Sequence, residues 1–369
     1  MIAILLAGAI GLLFTLFLTP AFIKGFNRLR WGQYIREDGP KEHFAKRGTP
    51  TMGGVVFVLS TLVAYFIAVY TVGDGPQASG LLILFMMFGH AIIGFIDDFL
   101  KVRKHQSLGL GGWQKVFGQI VVAAIFALIG LQFVDEQGTP AVSSAVSVIR
   151  DTSIDFMALG AIVGTILVVL WIVLITTATS NAVNVTDGLD GLATGASIFA
   201  IGTYGVIGYW QFNQECGAAR LSNEVAQACY VTNAPLDMTI VAAAIVGSLV
   251  GFLWWNTSPA KIFMGDTGSL ALGGALAAFA ILSRTELLLL VVAGLFVIDT
   301  GSVIVQRAYF KATGGKRIFL MSPIHHHYEL KGWAEQTVVV RFWIVGGLFA
   351  VIALAIFYAE WSVTAGMLQ

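Results

Sequence analysis

At 369 residues with 57% hydrophobic and only 11% charged side chains, the chain has too few charges to cover a soluble globule, in which about a quarter are charged. Its net charge of zero at pH 7 excludes a broadly basic nucleic-acid surface, so any charged partner is met by local patches. The 2 cysteines are too few for a disulfide-stapled fold or a four-ligand zinc site.

In chain order, the first apolar run, Ile2 to Ile23, is longer than a signal-peptide core and has no basic residues before it, so it reads as a retained first helix. Further runs long enough to cross roughly 30 Å of hydrocarbon lie at 53–70, 81–96, 116–134, 159–178, 192–210, 239–255, 270–282, 286–306 and 338–358. Glycine, serine and threonine interrupt several of them, as neighbouring helices in a bundle allow. The expectation is an all-α, polytopic integral membrane protein of about ten transmembrane helices, with 1–369 as one transmembrane domain and no internal repeat.

The basic residues fix the expected orientation. Lys24, Arg28, Arg30, Arg36, Lys41, Lys46 and Arg47 follow the first run, and Lys101, Arg103, Lys104 and Lys115 surround the end of the third. Lys261 follows the seventh, while Arg307, Lys311, Lys316, Arg317 and Lys331 follow the ninth. The intervening loops hold only Arg150, Arg220 and Arg284. By the positive-inside rule the odd-numbered loops are cytoplasmic and both termini periplasmic. Cys216 and Cys229 then lie in an outer loop, where they either pair in an oxidising compartment or remain two free thiols. Sequons at Asn184 and Asn256 fall on the cytoplasmic side. The GxxxG spacings Gly160–Gly164 and Gly247–Gly251 suit packing inside the bundle, with a homodimer as the alternative.

Four segments on the expected cytoplasmic face have the residue types of phosphate chemistry. Asp97 and Asp98 in GFIDDFLK end the third run, where the helix dipole repels carboxylates, so cations such as Lys101, Lys115 or a metal-bound substrate are expected to neutralise them. In SNAVNVTDGLDGLATG, Asn184, Asp187 and Asp190 are spaced three apart and share one face of a helical turn, although the two Asp-Gly steps also signal a turn. In FMGDTGSLALGG a helix opens at Gly265–Ser269. That segment offers free amides and a positive dipole end to a phosphate, and Asp266 to a magnesium ion shared with it. His325, His326 and His327 are consecutive, and successive helical side chains diverge too far for the three to share one zinc. Beside Lys316, Arg317 and Lys331 they suit hydrogen bonding to phosphate oxygens.

Together with GTPTMGG at 48–54 and SPIHHHYELKGW at 322–333, these segments make the chain resemble the phospho-N-acetylmuramoyl-pentapeptide transferases, within the superfamily of polyprenyl-phosphate N-acetylhexosamine-1-phosphate transferases. The resemblance runs nearly end to end. It implies a magnesium-dependent enzyme that moves phospho-N-acetylmuramoyl-pentapeptide from UDP-N-acetylmuramoyl-pentapeptide to undecaprenyl phosphate, a membrane lipid, releasing UMP and forming lipid I for peptidoglycan. The implied place is the bacterial inner membrane, with the active site in cytoplasmic loops 24–52, 97–115, 179–191, 256–269 and 307–337.

Carried over by motif, Asp266 is the implied magnesium ligand, and Asp97, Asp98, Lys101, Lys115 and His325 belong with it to the catalytic centre. Gly188, Leu189, Asp190, Asn256 and Phe263 form the implied uridine pocket, with Phe263 on the uracil face. Lys46, Thr51, Asn184, Asp187, Gln306, His326 and His327 line the rest of the implied cleft. Two alternatives stay open: a sibling enzyme using UDP-N-acetylglucosamine, which the histidine motif disfavours, and a secondary transporter, which would place ionisable residues near the bilayer midplane.

Overall fold

The computed structural model describes residues 1–29, 31–32, 46, 48–104, 106, 108–135, 138–218, 221 and 223–367. Of the basic residues used to orient the chain, Arg30, Arg36, Lys41, Arg47 and Arg220 lie outside the described residues. The helices are α1 (Ile2–Arg28), α2 (Gly54–Val72), α3 (Ala78–Arg103), α4 (Gly112–Gln132), α5 (Ala161–Thr186) and α6 (Leu192–Asn213). They continue with α7 (Pro235–Asn256), α8 (Gly265–Leu282), α9 (Leu289–Val292), α10 (Gly294–Ala312), α11 (Ile324–Leu330) and α12 (Glu335–Thr364). A two-stranded antiparallel hairpin, β1 (Ala145–Ser147) and β2 (Asp151–Asp155), lies between α4 and α5.

Helices dominate because apolar stretches of this length satisfy their backbone polar groups internally, as a bilayer requires. Among the described residues, 9 helices are long and apolar enough to cross a membrane, and the chain is a multi-pass membrane protein. The ninth expected run, 286–306, is realised as two pieces, α9 and α10, broken at Ala293. The longer piece carries Asp299, Gln306, Arg307 and Lys311, which lower its hydropathy below that of the other spans. Most helices also extend past their apolar runs, so polar residues placed in loops by hydropathy sit on terminal helical turns.

The centre of the bundle is α8, buried along nearly its whole length and packed against α3 and α5. Gly94 of α3 permits the close approach: a Cβ there would lie 2.1 Å from the carbonyl oxygen of Asp266. A second tie lies at the opposite end of α3. The carboxylate of Asp237, on α7, accepts the amides of Gln77 and Gly80 and the hydroxyl of Tyr65, capping the first turn of α3. These ties set the depth at which the C-terminal end of α3 meets the N-terminal end of α8.

Candidate active site

Asp97 and Asp98 lie inside α3 rather than beyond its end, because the helix continues through Lys101 to Arg103. Their mutual repulsion is answered from three directions. The ammonium of Lys101, on the next turn, lies 2.6 Å from Asp97 Oδ2, 3.5 Å from Asp98 Oδ1 and 3.2 Å from Asp266 Oδ2. That of Lys115, on the first turn of α4, lies 3.1 Å from Asp97 Oδ1 and 2.5 Å from Asp266 Oδ2. The amide of Leu110 donates to Asp97 Oδ1 at 2.6 Å.

Asp98 is held differently. Its Oδ2 accepts the amide of Thr267 at 2.9 Å and the hydroxyl of the same residue at 2.8 Å. The carboxylate therefore caps α8 at the positive end of that helix, which offsets its unfavourable place near the end of α3. A structural task is thus visible for Asp98 that the sequence did not reveal.

One oxygen from each of Asp97, Asp98 and Asp266 lies within 4.8 Å of the others. Such an all-oxygen set suits a hard divalent cation that completes its shell with water and substrate oxygens. The orientation of Asp266 is fixed from the far side by Asn184, whose amide nitrogen donates to Asp266 Oδ1 at 3.0 Å and to Ser269 Oγ at 2.8 Å.

Asn184, Asp187 and Asp190, expected on one face of a helical turn, lie on different elements. Helix α5 ends at Thr186, Asp187 is its C-cap, and the chain turns through Gly188, so the three side chains do not share a helical face. Asn184 joins the carboxylate cluster. Asp190 instead binds Lys46 at 2.7 Å and accepts the amide of Ala260 at 3.0 Å. Asp187 lies between the two groups; burial, then the charges of Asp266 and Asp98, push its carboxyl well above the usual range.

The remaining expected positions gather at the same end of the bundle, several with their polar atoms already engaged. Asn256 accepts the hydroxyl of Thr194 at 2.6 Å and donates to the carbonyl of Ile262 at 3.0 Å, fixing the start of the α7–α8 loop. Phe263 is tied by its backbone to Pro50 and Gly53, beside the buried Thr51. Leu189 is buried beneath the turn. Gln306 accepts the amides of Ile318 and Phe319 and donates to the Phe319 carbonyl, so its side chain latches the α10–α11 loop.

On α11 the rings of His325 and His326 pack edge to face, their centroids 4.2 Å apart, and both bring Nε2 to Gly188, while His327 turns away. His325 is fully buried against Asp299, His326 pairs with Glu329 at 2.7 Å, and His327 accepts the amide of Leu320 at 3.0 Å.

Two further acids shape this end of the molecule. Glu335, at the start of α12, lies 2.5 Å from Lys46 Nζ and accepts the amide of Asp190 at 2.9 Å. Its sequence surroundings resemble any acidic first turn. Asp299, on α10, stands in the apolar run from Leu287 to Val305, and an ionisable residue in such a run is a recognisable signal.

On the opposite face Cys216 and Cys229 form a disulfide, which resolves the open question about the two thiols.

Residues 80–284 match the family model for glycosyl transferase family 4, and residues 46–58 match signature 1 of phospho-N-acetylmuramoyl-pentapeptide-transferase. The phospho-N-acetylmuramoyl-pentapeptide-transferase of Clavibacter sepedonicus is 60% identical, covering 98% of this chain and 99% of that protein. That of Pseudarthrobacter chlorophenolicus is 54% identical over 98% of this chain and 100% of the relative. The Beutenbergia cavernae enzyme of the same name is 53% identical over 98% and 100% respectively.

Proposed function

The chain belongs to the phospho-N-acetylmuramoyl-pentapeptide-transferase family, and from that membership we propose that it transfers phospho-N-acetylmuramoyl-pentapeptide from UDP to undecaprenyl phosphate, releasing UMP and forming lipid I. The observation that carries the reading is the convergence of Asp97, Asp98 and Asp266 with Lys101 and Lys115 at one end of the helix bundle. A water-soluble donor and a lipid-anchored acceptor meet where such loops reach the headgroup layer. The positive-inside rule puts that end in the cytoplasm and both termini in the periplasm, with the bacterial inner membrane as the site of action.

The three carboxylates would hold one magnesium ion, with Asp266 as its principal ligand. Bound there, the ion would neutralise diphosphate charge and align the reacting phosphorus. Lys101 and Lys115 balance the remaining anionic charge, and Asn184 keeps Asp266 in one rotamer. The turn from Gly188 to Asp190, with Asn256 and Phe263, would receive the uridine. His326 and His327 face the donor's anionic part, with Lys46, Thr51, Asp187 and Gln306 shaping the cleft walls.

In the transfer, an oxygen of the lipid phosphate attacks the β-phosphorus of the donor as the bond to the bridging oxygen breaks, and UMP leaves with that oxygen. The second pKa of a phosphate monoester is near 6, so the acceptor is largely ionised at pH 7 without a base. Both oxygens of Asp97 are already engaged, by Leu110, Lys115 and Lys101. That engagement suits orientation of the acceptor better than nucleophilic attack, and favours a single displacement over an aspartyl-phosphate route.

The test is UMP release by the purified, detergent-solubilised protein with undecaprenyl phosphate, magnesium and either UDP-N-acetylmuramoyl-pentapeptide or UDP-N-acetylglucosamine. Release with the muramoyl donor alone, lost on chelation and in Asp266→Asn, is the expected result. Release with the N-acetylglucosamine donor would assign the chain to the sibling reaction.

A further inference from the structure

Several cations at the site end of the bundle, Lys104, Arg307 and Lys311 among them, have no ion pair among the described residues, so it is their grouping around one groove that sets three of them apart. Lys46, Lys101 and Lys115 are each paired with carboxylates. Lys24 and Arg28 on the last turns of α1, and Lys261 in the α7–α8 loop, have no ion pair or side-chain hydrogen bond among the described residues. Lys24 and Arg28 are four residues apart and so share a helix face. With Lys261 they border a groove of about 590 Å³ whose lining includes Pro20, Ile23 and Trp255.

The groove stands at a definite depth. Trp255 is pinned between α7 and α1 by donating its indole N–H to the carbonyl of Leu16 at 3.0 Å, and its neighbour Trp254 is 72% exposed. Tryptophans with this apolar body and polar edge settle at the membrane–water boundary. One wall of the groove is therefore apolar and borders hydrocarbon, while the other presents three positive charges that have no ion pair among the described residues, at headgroup level. Like charges around one groove repel unless an anion lies among them.

We propose that this groove binds the phosphodiester headgroup of an anionic membrane phospholipid, with Lys24, Arg28 and Lys261 around the phosphate and Pro20, Ile23 and Trp255 against the glycerol and upper acyl carbons. The assignment is independent of the transferase reading. It nevertheless touches the site, because Lys261 follows Ala260, whose amide donates to Asp190, so a headgroup held at Lys261 steadies the loop on which Asp190 leans.

Native mass spectrometry of the purified full-length protein, offered phosphatidylglycerol, phosphatidylcholine or a polyprenyl monophosphate, tests the proposal. Wild type retains phosphatidylglycerol and not phosphatidylcholine. Each charge removed lowers phosphatidylglycerol affinity about five-fold, so Lys24→Ala/Arg28→Ala/Lys261→Ala loses roughly a hundred-fold. A control carrying Lys104→Ala and Lys311→Ala, outside the groove, keeps wild-type binding. Should the triple variant be poorly folded, Lys261→Glu in the exposed loop gives the same reading with less disturbance. Unchanged phosphatidylglycerol affinity in a folded groove variant, or equal retention of phosphatidylcholine by wild type, overturns the proposal. Displacement of phosphatidylglycerol by the polyprenyl monophosphate, with both lost in the variant, also overturns it and gives the groove to the lipid acceptor.

Discussion

Nδ1 of His325 lies 2.8 Å from Oδ2 and 3.0 Å from Oδ1 of Asp299, and both side chains are wholly buried. An ionised carboxylate only accepts, which places the imidazole proton on Nδ1 and leaves Nε2 directed at the Asp187–Gly188 turn. A Cβ on Gly188 would come within 2.4 Å of that nitrogen, so only glycine lets the turn rest on the ring. Asp299→Asn can donate as well as accept and no longer selects this tautomer. We expect its kcat to fall about ten- to a hundred-fold, the usual effect of losing a carboxylate that orients a histidine, with a smaller change in KM. Steady-state kinetics measure this, and an unchanged kcat in a protein of wild-type melting temperature would reduce the pair to core packing.

Lys46 bridges two acids from distant parts of the chain, Asp190 and Glu335. Lys46→Met leaves those carboxylates facing each other in a partly buried site. We expect a loss of about 2–3 kcal/mol, below the 3–5 of a fully buried pair because the lysine side chain is 20% exposed. Glu335→Gln keeps the Lys46–Asp190 contact and costs less. Burial works against the Lys46 ammonium, but its hydrogen bonds and charge interactions with Asp190 and Glu335 outweigh that, holding its pKa above the ordinary 10.5. A raised lysine pKa stabilises the fold fully below pH 10.5, and the stabilisation is lost as pH climbs through the folded value. Melting temperatures across that range should fall more steeply for wild type than for Lys46→Met; parallel curves would rule the bridge out as a source of stability.

The helical membrane architecture was legible because hydropathy reports directly on the bilayer, in which apolar runs must satisfy their own backbone groups. The carboxylate cluster was legible as motifs, since Asp97, Asp98 and Asp266 stand beside helix ends where acids need a partner. Which partner each finds depends on tertiary packing. Asp98 caps a helix 169 residues away, and no local pattern encodes that. The Asn184–Asp187–Asp190 spacing misled because a helical period was carried through Gly188, where the chain turns. The same glycines that signal the turn are the reason the periodicity stops there. Asp299 was readable as an acid in an apolar run, but the apolar count of 286–306 masked it, and with it the break that separates α9 from α10. Glu335 offered nothing to distinguish it from a solvated first-turn acid.

Asp187 is expected to show opposed effects on stability and turnover. Its burial and the nearby charges of Asp266 and Asp98 raise its folded pKa well above 3.8. The folded state then binds more protons than the unfolded state between the two pKa values, so stability falls as pH rises from about 4 toward the folded value. Asp187→Asn removes the charge at nearly the same shape. Its melting temperature at pH 7.5 should exceed that of wild type while UMP release drops at least about ten-fold, a trade common where active sites concentrate like charge. A lower melting temperature in the variant would mean that the carboxylate is stabilised by partners and not strained by its neighbours.

At the other end of the bundle, the Cys216–Cys229 disulfide closes a loop with a sequence separation of 13. The segment is also held by Arg150, which donates to the carbonyls of Ala228 and Cys229, pairs with Glu360 at 2.8 Å and stacks 4.0 Å above the ring of Tyr230. Closing a loop of this size contributes about 3 kcal/mol by restricting the unfolded chain. Cys216→Ser/Cys229→Ser should therefore melt earlier than wild type, and wild type under strong reductant should move to the same temperature. Because Arg150 keeps its contacts and the carboxylate cluster lies at the opposite end, turnover below the transition should stay within about two-fold of wild type, as additivity holds for distant, independent sites. A large loss of turnover with little loss of stability would instead reveal coupling along the helices between the two ends of the bundle.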